Sequence, residues 1–226
     1  MRAWSDARLG AAAGVFFVVL TLIGDLVAGS PPSFDDPASK IAAFYLHHHR
    51  SVLVGVILTG IAAALFVWFL SSLALAVREA GQAVLAVVVF GAGIAGVVLS
   101  IAADALTGAL AQVARGGDPR FVRGTYQVAG FFVAKSYWLA ALLTLAAGLA
   151  AWRALPRWYA WTSFVALPLL GLGGVAVKET GFFQPLGAMA LIAFLALLIW
   201  VLATSALLWR LTPTAADASA VVASPV

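Results

Sequence analysis

The chain has 226 residues, 64% of them hydrophobic and only 10% charged, with a formal charge of +4 and a mean hydropathy of +1.06. Soluble domains carry about 25% charged residues, so a water-solvated fold is excluded. The lack of cysteine excludes disulfides, thiolate metal sites and iron–sulfur clusters. The cations are too scattered for a nucleic-acid surface and leave the lipid bilayer as their partner.

Apolar runs long enough to span about 30 Å of hydrocarbon occur at roughly 9–29, 52–77, 83–112, 125–152, 158–177 and 184–209. Period-two alternation is missing, and backbone groups left unpaired in lipid cost several kcal/mol, so each run is predicted to be a helix. The fold class is all-α: one polytopic bundle of six transmembrane helices over residues 1–211. A tail from Thr212 to Val226, rich in Ala, Ser, Thr and Pro, is predicted to be disordered. The first run exceeds the apolar stretch of about 7 to 15 residues in a secretory signal and is read as a retained span.

In chain order, Pro31 and Pro32 break the first helix, and Asp36-Pro37 supplies an N-cap and first-turn proline. A short interfacial amphipathic helix follows, with Ile41, Phe44, Tyr45 and His48 on one side toward lipid or protein. Leu155-Pro156 joins the fourth and fifth spans amid Trp152, Trp158, Tyr159 and Trp161, which with Trp4 and Trp209 form a headgroup-level aromatic belt. Pro168, Gly171, Gly173 and Gly174 predict a kinked or interrupted fifth span, and Gln184-Pro185 opens the sixth. Asp25 with Asp36-Pro37 is echoed by Asp104 with Asp118-Pro119, read either as repeated hairpins or as chance recurrence of a helix-start signal. Arginine and lysine are equally divided between the two faces. Arg2 and Arg8 before the first helix, with Asp35 and Asp36 after it, favour cytoplasmic termini in a bacterial inner (plasma) membrane.

Asp25, Asp104 and Lys135 are the ionisable side chains well inside the spans, where a charge costs roughly 2.5 to 3.5 kcal/mol on insertion scales. Counting 1.5 Å per residue from the expected helix ends puts Asp104 about 12 Å and Lys135 about 15 Å below the loop face. An ion pair between these neighbours is therefore expected, with Asp25 a turn shallower. Gly96, Ser100, Asp104 and Gly108 recur every four residues and are expected to meet another helix, with Thr21, Gly55 and Thr59 offering similar surfaces. Lys178 and Glu179 either border the same loop-face cavity or form a solvated turn. The charged set is thus a structural ion pair locking the bundle or a ligand or proton site. His47, His48 and His49 point about 100° apart along a helix, so no metal site is expected, His48 being a weak candidate. The spans contain no histidine for haem and no serine sits in a nucleophile elbow, so no cofactor and no catalytic residue are expected.

The apolar first helix, the segment DDPASKIAAFYLHHHR, the connector ALPRWYAW and the closing GFFQPLGAMALIAFLALLIWVLATSALLWR together resemble a family of six-span membrane proteins from actinobacteria and related bacteria. The likeness covers nearly the whole chain and implies the six-span architecture, with no assigned reaction and no active residue to carry over. The expected function is binding or transport of a small molecule, lipid or proton near one membrane face. The alternative is a non-catalytic accessory or scaffold subunit bound to another membrane protein or to further copies of itself.

Overall fold

A computed structural model describes residues 2–178 and 180–211, with side chains from Ala7 onward. Glu179 and the tail from 212 to 226 lie outside the described residues. Seven α-helices follow in order: α1 (Arg2–Ala28), α2 (Ala38–His47), α3 (His49–Glu79), α4 (Ala83–Val113), α5 (Pro119–Ala154), α6 (Arg157–Gly174) and α7 (Ala188–Leu211). There is no strand among the described residues. Five helices, α1 from Ala7, α3, α4, α5 and α7, are long and apolar enough to cross a membrane. The sixth expected span, α6, is only 18 residues long and opens on the polar stretch RWYAWTS.

Local chemistry sets the helix ends. Gly29 adopts φ 84°, which a side chain would resist, and its N–H returns to the Asp25 carbonyl at 3.1 Å to close α1. Gly81 does the same for the tight α3–α4 turn, with φ 80°. Asp118 caps α5 by accepting from the Arg120 N–H at 2.9 Å, and Pro119 fills the first turn. The echo with Asp36-Pro37 stops there. Pro37 itself holds the N-cap position of α2, without a side-chain cap. Asp36 instead takes the Ser33 N–H at 2.8 Å and the Lys40 ammonium at 2.8 Å. The Lys40 hydrogen bond, helped by Ser33, holds the Asp36 carboxyl below its ordinary 3.8. A lowered carboxyl favours the closed turn above its ordinary pKa and loses that contribution as pH falls through the lowered value. Exchange protection of the Ser33 amide is therefore expected to be constant above about pH 4 and to drop below it; constant protection down to pH 2 contradicts this assignment.

Two further expectations are corrected. Of the kink or interruption expected at Pro168, the interruption is not found: α6 runs on through Pro168 and ends at Gly173 and Gly174. Pro185 does not open α7: Gln184–Gly187 forms a turn, with Gly187 N–H on the Gln184 carbonyl at 3.0 Å, and the helix starts at Ala188.

The helices close into a ring in which α1 packs on α3, α3 on α4, α4 on α5, α5 on α6, α6 on α7 and α7 on α1. The helices α3, α5 and α7 also touch one another across its middle. Glycines bring the backbones together. A Cβ on Gly55 of α3 would lie 2.9 Å from the Gly24 carbonyl oxygen and 2.9 Å from Ala28 Cβ of α1, and one on Gly174 would lie 2.7 Å from Trp138. Trp152, Trp158, Trp161 and Trp209 are exposed as a belt requires, and guanidinium groups stack on three of them: Arg8 on Trp209, Arg157 on Trp152 and Arg210 on Trp158, at 5.6 to 5.9 Å. Tyr159 departs from the expected belt. It is fully buried, its hydroxyl 3.0 Å from that of Thr204 on α7.

The buried apolar residues fall into two separate clusters. The large one fills the ring and includes Val18, Ala63, Val97, Tyr137 and Ala190. The small one comprises Phe34, Ile41, Tyr45, Val52, Leu110, Ala111, Val122 and Tyr126. Thus α2 folds over the loop-side ends of α3, α4 and α5 and buries Ile41 and Tyr45 against protein. Burial, with the neighbouring Tyr126, pushes the Tyr45 phenol above its ordinary range and keeps it neutral. The loops seal this cap: Tyr126 donates to the Pro32 carbonyl at 2.6 Å, Gln184 donates to Ser33 Oγ at 3.0 Å, and Phe34 and Pro185 both lie against Gly130, where a side chain would displace the Phe34 ring.

Candidate functional site

The crossing of Gly24 and Gly55 positions the site. Because those backbones meet, the next residue on α1, Asp25, comes beside the α3 segment that carries Thr59, whose methyl would lie 3.1 Å from a Cβ on Gly24. The Thr59 hydroxyl bonds the Gly55 and Val56 carbonyls of its own helix, both at 3.1 Å. Asp104 approaches from α4 with Thr59 against its carboxyl. Asp25 and Asp104 are close enough to act on each other electrostatically, and the charge of Asp25 is also felt by Tyr137 of α5. Asp25 is exposed and Asp104 half-buried. Three helices thus bring two carboxyl groups and a hydroxyl together at the loop-side mouth of the ring.

The expected Asp104–Lys135 ion pair is not formed; the two groups are not within 4 Å of each other. Helix geometry explains this. Ser136 and Leu139 are the α5 residues that meet α4, at Gly96, whereas Trp138, one turn from Lys135, packs on Gly174 of α6. Lys135 shares the Trp138 side and reaches the Gly174 carbonyl at 3.4 Å. Its ammonium sits at the negative end of the α6 dipole, where a cation contributes up to about 1 kcal/mol. Lys135→Met is accordingly expected to cost about 1 kcal/mol and to speed hydrogen exchange at Leu172–Gly174 while leaving α4 near Asp104 unchanged; faster exchange around Asp104 instead contradicts the assignment.

The four-residue stripe on α4 does not form one contact either. Each step of four turns the helix about 40° past a full revolution, so twelve residues rotate the stripe by about 120°. Gly96 accordingly meets α5, Gly108 meets Val56 of α3 and Ser100 between them is exposed. Thr21 is buried one turn before Asp25. Lys178 is exposed, with its N–H on the Phe183 carbonyl at 3.1 Å, and it makes no ion pair with either carboxylate among the described residues. The histidines diverge. His47 Nδ1 bonds the Ala43 carbonyl, His48 Nδ1 bonds the Phe44 carbonyl while its ring stacks on Phe44, and His49 Nδ1 lies 3.3 Å from Arg115. No group of three potential metal ligands occurs among the described residues. An open groove of about 520 Å³ runs beside α2 between Ser30, Lys40, Phe44 and His47; neither Asp25 nor Asp104 lines it.

Sequence reasoning missed Gly24 as the partner of Gly55, and it missed Phe34 and Gly130 as the centre of the cap. A glycine inside an apolar span marks a close crossing, but the partner helix is not written beside it.

Comparison with protein-family models, curated proteins and solved structures finds no match to this chain.

Proposed function

We propose that the chain is a six-span protein of the bacterial plasma membrane, with cytoplasmic termini, that binds a proton or a small cation through Asp25 and Asp104, in the manner of a binding or transport protein. One observation supports the reading: two carboxyl groups on different helices, Asp25 and Asp104, lie close enough to interact electrostatically, Asp104 beside Thr59, and no lysine or arginine among the described residues lies within 4 Å of either. Two like charges in a low-dielectric setting repel, so the pair favours uptake of a positive charge from outside the protein. What supports six spans is the length of α6, whose 18 residues rise about 27 Å at 1.5 Å per residue, and what supports cytoplasmic termini is the flank of Arg2 and Arg8 before the first helix.

The accessory-subunit alternative draws on small-residue helix faces free to receive a partner. Most are filled internally: Gly10 by Ser72, Gly14 by Phe69 and Ser205, Gly93 by Leu70, Gly148 by Phe164. The cation reading is tested with ethylammonium as the probe. In detergent, ethylammonium is expected to raise the apparent Tm of the wild type at pH 8 and to have at least about tenfold weaker effect on Asp25→Asn and Asp104→Asn. An equal shift in all three proteins would overturn it.

A further inference from the structure

We infer that the bilayer ends at the level of Asp25, Thr59, Asp104 and Lys135, and that everything beyond, the outer ends of α3, α4 and α5 with α2 and the loops, forms a cap seated at the lipid headgroups and in the water outside. Two independent observations converge on this boundary. The first is length. Taking the arginine and tryptophan girdle as the opposite surface, the rise per residue gives about 26 Å from Arg8 to Asp25 on α1, about 29 Å from Arg78 to Thr59 on α3 and about 32 Å from Ala83 to Asp104 on α4. It gives about 27 Å from Arg153 to Lys135 on α5 and about 26 Å from Arg157 to the end of α6 at Gly174. All five match a hydrocarbon core of about 30 Å. Beyond that level α3 continues for about 15 Å and α5 for about 24 Å, too far for one bilayer core to cover from end to end.

The second observation is the division of the core. Every helical member of the large cluster lies on the girdle side of the polar level, up to Val18 on α1, Ala63 on α3, Val97 on α4 and Tyr137 on α5. Every member of the small cluster lies on the other side, with Val52 on α3, Leu110 on α4 and Tyr126 on α5. A layer of charges that separates two apolar cores is what a membrane surface requires. Outside it, apolar side chains must bury against one another to escape water, and α2 supplies the cover. On α4 exposed large apolar residues run from Val84 to Ile101 and the next is Val113, whereas Val54 and Ile57 on α3 and Phe121 and Val128 on α5 stay exposed beyond the level, which seats those faces of the cap among the lipid headgroups. The carboxylates therefore open at the headgroup boundary on the loop side, where a water-soluble ligand reaches them without entering hydrocarbon.

This placement stands apart from the cation reading, since labelling reports depth whether or not anything binds. The chain has no cysteine, and a Cβ on Gly91 or Gly124 meets nothing within 4 Å, so single cysteines are tolerated there. In proteoliposomes of phosphatidylcholine and phosphatidylglycerol permeabilised to reagent on both sides, a charged maleimide is expected to label Gly124→Cys and Gln112→Cys at least about tenfold faster than Gly91→Cys and Val98→Cys. Protection of Gly124→Cys and Gln112→Cys to the level of Gly91→Cys would overturn the inference by placing the cap inside the bilayer. Fast labelling of Gly91→Cys would overturn it by removing that segment from the bilayer.

Discussion

Gly55→Val is expected to destabilise the protein by about 3 kcal/mol, the upper range for overpacking a close contact. The atoms nearest a new Cβ there are the Gly24 carbonyl oxygen and Ala28 Cβ, both at 2.9 Å. A backbone oxygen cannot rotate aside as the tip of a long side chain does. Relief requires α1 and α3 to separate over the turn that carries Asp25, so the same variant is expected to lose the ethylammonium response. Gly60, five residues along α3, provides the internal control. A Cβ there meets nothing within 4 Å, and replacing a helical glycine by alanine contributes roughly 0.5 to 1 kcal/mol. Gly60→Ala is therefore expected to match or exceed the wild type in apparent Tm. If Gly55→Val melts with Gly60→Ala, the close crossing that positions the site does not exist.

Asp25→Asn is expected to make the protein more stable and less able to bind. Removing one of two like charges at the edge of a low-dielectric region relieves repulsion of about 1 kcal/mol, whereas the amide offers no charge to a cation. Gain of stability with loss of binding distinguishes a ligand site from a structural lock, because removing one partner of a buried ion pair destabilises by several kcal/mol. The corresponding observation is a higher apparent Tm without ethylammonium and a smaller rise with it; a lower Tm in both conditions contradicts the proposal.

Much of the fold was legible in the sequence because a membrane makes hydrophobic length a direct statement of structure. The runs that became α1, α3, α4, α5 and α7 and the Asp118-Pro119 start of α5 follow from local chemistry. Asp25 and Asp104 stood out because a charge in an apolar run is costly. What failed was rotation and partner choice. Lys135 is near enough to Asp104 in sequence arithmetic, yet α5 turns it toward α6, and each residue moves the side chain by about 100°. Spacing of four marked Gly96, Ser100, Asp104 and Gly108 as one face, although the pitch sends their ends to different helices. The cap was hidden for another reason. Phe34 is a lone aromatic in a loop of prolines, serines and aspartates, and its partner Gly130 lies nearly a hundred residues away, so no window of sequence contains their contact.

The central claim is that Asp25 and Asp104 form the coupled charged unit while Lys135 belongs to the end of α6. A pair of double-mutant cycles on apparent stability in detergent tests it most directly. Combining Asp25→Asn with Asp104→Asn is expected to show coupling of about 1 kcal/mol, the second neutralisation adding less than the first, while Asp104→Asn with Lys135→Met is expected to be additive within about 0.5 kcal/mol. Additivity between the two aspartates together with strong coupling between Asp104 and Lys135 would contradict it.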